Sequence, residues 1–342
     1  LIRGIIIIAQ KTKGVTDVKK VTEREILNTK DIKPKLVVSR CFFEHTRYDG
    51  GIISSEIVKK LEKYCDFIKV CAEVEIGLPI PREPIDVFLI RNELRLMNKT
   101  MSEDLTDKMI SFSHKFADSL PNDIDGMILK SKSPSCALND AKLYGENGRV
   151  ISKTPGLFAK VMLERFPHLA IESEMRLTND KLRFEFLTFI FTHARFRNVT
   201  NKKELIEFHS RNKYLLLAKN EKVMRDMGKL VAQKRFDDTT KIAYEQLLVK
   251  VLKTPLKVPK VINTLLHLYG YFKDKLSSQE KAYFMDLLED YKNHIVNLQT
   301  ILAVLKSWAI RYSADYILDQ TFFEPYPKEL DQLKLERDVT ER

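Results

Sequence analysis

The sequence predicts an α/β domain with a mainly parallel sheet, followed by an all-α domain. Between Lys35 and about residue 155, short β-branched runs alternate with helical segments. Beyond Asp180 nearly every segment has helical period. At 342 residues the chain also exceeds the size at which one hydrophobic core usually keeps growing. The first region therefore reads as a Rossmann-like sheet, whose ligand site lies outside the carboxyl ends of its strands.

Taken in order, "KLVVS" (35–39), "SSEIVKKLEKY" (54–64) and "DFIKV" (66–70) read as strand, helix and strand. "IDVFLI" and "ELRLM" form a hairpin around Arg91 and Asn92, "SEDLTDKMISFSHKFADSL" (102–120) an amphipathic helix, and "IDGMILK" a further strand. "KTPGLFAKVMLERFP" closes the domain as a helix with Pro155 near its start. The polar stretch 171–180, "IESEMRLTND", reads as the connection, with Thr178 or Asn179 as the cap of the next helix. The expected division is 1–34 as an N-terminal extension, 35–172 as the α/β domain and 176–333 as the helical domain, with no internal repeat.

A composition of 44% hydrophobic and 31% charged residues is that of a soluble globular protein. The aliphatic cluster Ile5 to Ile8 is far too short for a signal-peptide core or a membrane span, so no membrane association and a cytoplasmic location are expected. Four cysteines are too few and too scattered for a disulfide framework, and reduced thiols follow. The net charge of +11 is unevenly spread. Residues 35–155 hold 18 basic and 18 acidic side chains, whereas Thr192 to Arg235 hold 12 basic against 4 acidic. Such a block suits RNA backbone phosphates, through Arg195, Arg197, Lys202, Lys203, Arg211, Lys213, Lys219 and Lys222. Phe196 or Tyr214 could stack on bases if exposed, although at helical spacing both fit a core.

Cys41, Cys71 and Cys136 each follow a predicted strand, the last through the loop "KSKSPSC" (130–136). Their loops could converge on one site. Close Cys-x-x-Cys pairs, the commoner zinc signature, are missing. An iron–sulfur cube held by only three cysteines would leave one iron open as a Lewis acid. Three separate buried thiols are the alternative, and Cys65 is assigned to the core. Around the cysteines, "EHTRYDGG" (44–51) offers Arg47, Tyr48 and Asp49, Glu73 follows Cys71 by two residues, and Ser133 and Ser135 precede Cys136. A carboxylate there could activate water, and a serine could bind or relay a proton to a substrate heteroatom. A solvated glutamate and turn-satisfying serines are the plainer readings.

"VVSRCFFEHTRYDGG", "VCAEVEIGLPIPREP" and "KSKSPSC" resemble the three signature segments of the 2-thiouracil desulfidase family. "RLTNDKLRFEFLTFIFTHARFR", "LIEFHSRNKYLLLAKN", "MGKLVA", "LLHLYGYFKDKLSSQEK" and "FFEPYPKEL" resemble the YbgA-like helical domain often fused behind it. The resemblance implies that Cys41, Cys71 and Cys136 ligate a 4Fe-4S cluster. It implies catalytic roles for Glu73 and Ser133 and substrate-binding roles for Arg47 and Asp49, to which Ser135 is added as a substrate contact. The implied reaction is non-redox hydrolytic removal of sulfur from 4-thiouridine in tRNA, with the helical domain binding the RNA. Ala72, Ala137 and Thr46 depart from the usual proline, glycine and further cysteine, and Asn212 and Lys219 stand where histidines are expected. A free thiouracil base is an alternative substrate, and a nucleic-acid-binding redox or iron sensor is the non-enzymatic alternative.

Overall fold

The computed structural model describes residues 32–331. The predicted extension 1–34 lies almost entirely outside the described residues, as does the end of the predicted helical domain past 331. In chain order the first part comprises β1 (Lys35–Ser39), α1 (Glu56–Leu61), β2 (Asp66–Val70), α2 (Ala72–Glu75), β3 (Ile85–Ile90), β4 (Glu93–Asn98), α3 (Thr106–Ser119), β5 (Gly126–Leu129), β6 (Ala141–Gly145), β7 (Val150–Thr154), α4 (Leu157–Arg165) and β8 (Ala170–Ser173). The second part comprises α5 (Asp180–Arg197), α6 (Lys202–Ala232), α7 (Asp238–Leu252), α8 (Val258–Tyr269), α9 (Ser278–Lys292), α10 (Leu298–Arg311) and α11 (Asp315–Leu318).

The strands form two sheets rather than one. One is wholly parallel, in the order β2-β1-β5-β8, and the other is mixed, in the order β4-β3-β6-β7. The predicted hairpin is β3–β4, and its turn residues Arg91 and Asn92 both have positive φ, as a two-residue hairpin turn requires. The stretch 171–180 is not only a connection: its first three residues belong to β8, which adds to the parallel sheet beside β5. β8 is four residues long and only its last, Ser173, is buried, so it lacks an apolar run to read.

Parallel sheets are covered on both faces, and this one is. Val37, Met127 and Leu129 point into a core with Val87, Leu96, Met109, Phe158 and Met162, supplied by the second sheet and by α3 and α4. Leu36, Val38 and Ile128 point the other way, onto Phe186, Phe189 and Ile190 of α5. The helical part therefore begins as the cover of the parallel sheet. This explains why α5 is apolar on most sides, with an amphipathic stripe only weakly developed. Asn179 caps α5, its side chain accepting from the amides of Lys181 and Leu182. A separate core of Leu265, Phe272, Phe284, Leu305 and Trp308 holds α8 to α10 together. Among the described residues, no helix is long and apolar enough to cross a membrane.

A buried carboxylate joins the two parts. Asp125, fully buried just before β5, accepts from the backbone amide of Lys35 at 2.8 Å. It also pairs with His193 Nδ1 at 2.8 Å and with Arg197 Nη1 at 2.7 Å, both from α5.

Candidate active site

The carboxyl ends of β1, β2 and β5 open into one cavity of about 470 Å³. Cys41, Cys71, Glu73, Ser133 and Cys136 all line it, as do Arg47, Lys130 and Lys132. The alternative of three thiols in three separate cores is thereby excluded for these cysteines. Cys65, by contrast, is buried in the core between α1 and α5, as expected.

Each thiol is held by a different local device. Cys41 sits in a single tight turn after β1, and its carbonyl accepts from the amide of Ile53. Cys71 occupies the cap position of α2, its Sγ 3.7 Å from the carbonyl of Thr46. Cys136 ends a loop fixed by the start of α4, where the amides of Gly156, Leu157 and Ala159 donate to the carbonyls of Ala137, Pro134 and Ser135. Helix amides lacking intrahelical partners thus find them in the loop that carries the cysteine. Gly156 permits this approach. A Cβ there would lie 2.4 Å from the carbonyl carbon of Ser135 and 2.8 Å from the amide nitrogen of Cys136. Gly156→Ala is therefore expected to destabilise the protein by about 1–3 kcal/mol through overpacking against backbone, measurable as a lowered denaturant midpoint.

Glu73 is a half-buried carboxylate with most of its capacity used. Its Oε2 accepts from Arg82 Nη2 at 2.6 Å and Nε at 3.0 Å, and its Oε1 accepts from Ser135 Oγ at 3.0 Å. Arg82, whose side chain is almost wholly buried, also donates to the carbonyl of Thr46 at 3.0 Å. It therefore ties the loop after Cys41 to the loop after Cys71. Sequence reasoning missed Arg82, although its position between Pro81 and Pro84, in a loop already tied to the site, was a usable signal.

Ser133 Oγ accepts from the amides of Ser135 (3.2 Å) and Cys136 (3.1 Å), so its own proton is available to the cavity. Ser135 is fully buried and spends its hydroxyl on Glu73, so its expected role as a substrate contact is corrected to that of a support for the carboxylate. Asp49 likewise does not line the cavity; it pairs with Arg47 at 2.9 Å and accepts from the amide of Gly51, shaping the turn.

Burial raises the Cys41 thiol to about 12, with Cys71 adding to the rise and Lys130 opposing it. Burial likewise pushes Cys71 up, partly offset by a backbone hydrogen bond. Cys136 is raised by burial and then by the other two cysteines. Burial thus disfavours the thiolate form of all three, which a bound cation would favour. Among the described residues, no three His, Cys, Asp or Glu side chains gather on a single ion position. Three thiols lining one cavity are soft donors of the kind that hold iron–sulfur clusters. Thr46 Oγ1 and Arg47 Nε, both buried there without a hydrogen-bond partner, are free for such an occupant.

Most of the eight named residues of the basic block are engaged within the fold rather than exposed to phosphate. Lys219 is fully buried at the break in α6 near Asn220, where it pairs with Glu185 and donates to the carbonyls of Leu252 and Thr254 at the end of α7. Arg197 is committed to Asp125, and Lys202 to the carbonyls of Val231 and Gln233. Arg195 donates to the carbonyl of Pro325 at 2.7 Å, Arg211 lies 3.5 Å from Glu207, and Lys213 lies over the Tyr214 ring. Of the eight residues, only Lys203 and Lys222 are exposed. Phe196 and Tyr214 are core residues. A helical wheel cannot distinguish a cation at the surface from one capping a neighbouring helix, which is how these residues misled.

Exposed cations do occur at the cavity. Lys99, Lys132, Lys142 and Lys153 line it and are exposed, three of them carried by the second sheet or its ends.

Residues 36–174 match the family described as 2-thiouracil desulfurase. Residues 213–327 match DUF1722, described as a protein family of unknown function. The protein YbgA of Escherichia coli (strain K12) is 28% identical over 128 residues, which cover 36% of this chain and 75% of YbgA. Among solved structures, the 4Fe-4S-dependent thiouracil desulfidase TudS is similar at 25% identity, covering 43% of this chain and 94% of that one with a TM-score of 0.33. The chain is thus similar to the 2-thiouracil desulfurase family over its first part and to DUF1722 over most of its helical part.

Proposed function

We propose that this protein is an iron–sulfur-dependent desulfidase that hydrolyses the carbon–sulfur bond of a thiolated uracil, with 4-thiouridine in tRNA as its substrate. The observation that carries the reading is the meeting of three cysteine thiols, Glu73 and Ser133 on one cavity within a domain similar to the desulfurase family. In this reading Cys41, Cys71 and Cys136 hold a 4Fe-4S cluster, which supplies a Lewis-acidic iron to polarise the thiocarbonyl.

The chain's own residues supply the rest. Glu73 has roughly four acceptor positions, and Arg82 and Ser135 take three. One remains to orient a water and take up its proton. The water oxygen adds to the ring carbon, the carbon–sulfur bond breaks, and uridine and hydrosulfide result without net redox change. Ser133, held in place by its two backbone donors, hydrogen-bonds through its hydroxyl to the ring or to the departing sulfur, which leaves as hydrosulfide while Glu73 passes the water's proton to solvent. Lys99, Lys132, Lys142 and Lys153 favour a substrate that carries phosphate over a bare ring, because a free thiouracil offers them nothing to neutralise. The family's name points to the free base instead, which is the second reading.

The test is loss of the 4-thiouridine absorbance from bulk tRNA incubated anaerobically with the reconstituted protein. The expected result is loss with the wild type and none with Cys136→Ser. Turnover of free thiouracil alone would select the second reading. No turnover of either by an iron-loaded protein would overturn both and leave the sensor.

A further inference from the structure

A second cavity, of about 280 Å³, opens within the helical part, far in sequence from the cysteines, between the end of α5, α6 and the segment after α11. Val199, Phe208 and Phe323, all buried, give it apolar walls. Two guanidinium groups, Arg195 and Arg211, face it as well.

The guanidinium of Arg195 is only partly engaged within the protein. It has no carboxylate partner among the described residues; its Nη2 donates only to Thr192 Oγ1 at 3.1 Å and the carbonyl of Pro325 at 2.7 Å, and its Nε is buried with no partner. Burial, and then the like charge of Arg211, lower its pKa to about 10. A half-buried cation beside a second cation, with a buried donor unspent, costs free energy that an anion would recover. Glu204, Asp319 and Glu324 also line the cavity, but none of them pairs with Arg195. Glu204 caps its own helix through Thr200, and Glu324 pairs with Lys306 at 3.3 Å. Asp319 is exposed.

We propose that this cavity is a second ligand site that takes a small organic anion. Arg195 and Arg211 hold its carboxylate or phosphate head, and its ring or short chain lies against Val199, Phe208 and Phe323. The size sets the class: the volume falls just under the ~300 Å³ at which pockets for drug-sized ligands begin, enough for one ring and a head group. An apolar wall opposite a few converging polar groups is the usual form of such a site. Planar guanidinium groups suit carboxylate and phosphate heads alike. The site shares no residue with the cysteine cavity and does not depend on the desulfidase reading.

Calorimetric titration of the full chain with phenyl phosphate, benzoate and the neutral benzyl alcohol tests this. Phenyl phosphate or benzoate is expected to bind one to one, and the tighter of the two identifies the head group. Arg195→Gln should weaken that binding about tenfold or more, the loss of a charged hydrogen bond. Leu318→Trp, which fills the cavity from its half-buried wall and leaves both arginines in place, should abolish it, while Cys136→Ser should bind as the wild type does. Leu318→Trp alone decides if the arginine variant does not fold. No binding of either anion, equal binding of benzyl alcohol, or binding that survives Leu318→Trp would overturn the proposal.

Discussion

Glu73→Gln is expected to lower desulfuration by roughly 100- to 10,000-fold, the range for removing a positioned general base. The amide keeps the shape of the carboxylate but cannot take up a proton from water. It also removes the negative partner of Arg82, whose side chain is only 4% exposed. Leaving such a cation unpaired costs about 3–5 kcal/mol in a fully buried site. A loss of activity could therefore reflect a loosened loop rather than lost chemistry. Glu73→Gln combined with Arg82→Met separates the two. The double variant removes the unpaired charge, so its thermal midpoint should recover towards that of the wild type, while turnover stays low. Iron content per chain should be near the wild-type value in both variants, since neither touches a thiol. Recovery of turnover in the double variant would show that Glu73 only positions Arg82 and the loops joined through it.

The cysteine site was legible because it depends on topology. A strand end is readable from a β-branched run, and in a parallel sheet all such ends lie on one edge, so Cys41, Cys71 and Cys136 could be brought together without a contact map. What supports the site was not legible. Arg82 reaches Glu73 across a loop whose path no periodicity describes, and Gly156 matters only because the Cys136 loop lies against it. The second sheet was half visible: β3 and β4 announced themselves as a hairpin, whereas β6 and β7, with burial patterns alternating or largely exposed, did not. Most of the cations named in the basic block were hidden from sequence reading for a related reason. Sequence counts charge but not its partners, and Lys219, Arg197 and Lys202 spend theirs on a carboxylate and on helix-end carbonyls.

Asp125→Asn is expected to destabilise the protein by about 3–5 kcal/mol, the cost of breaking a buried ion pair from one side. The introduced amide would face three donors with a single acceptor oxygen and would leave Arg197 without its counter-charge. The same cluster predicts a pH dependence. Burial alone would lower the pKa of His193, but its hydrogen bonds to Asp125 and Glu245 and their negative charges outweigh burial and raise it from 6.5 to about 9. A group whose pKa is raised on folding binds its proton more tightly in the native state. Its contribution is complete below the unfolded value and is lost as pH rises through the folded one. Stability should therefore fall between about pH 6.5 and pH 9, by on the order of 3 kcal/mol from this group. Denaturant midpoints across that interval measure the slope in the wild type, and in His193→Gln it should be largely lost. A slope unchanged in that variant would place the titration elsewhere and reduce the Asp125–His193 contact to a neutral hydrogen bond. A lost slope would identify an ion pair that fastens α5, and with it the helical part, to the sheet carrying the three cysteines.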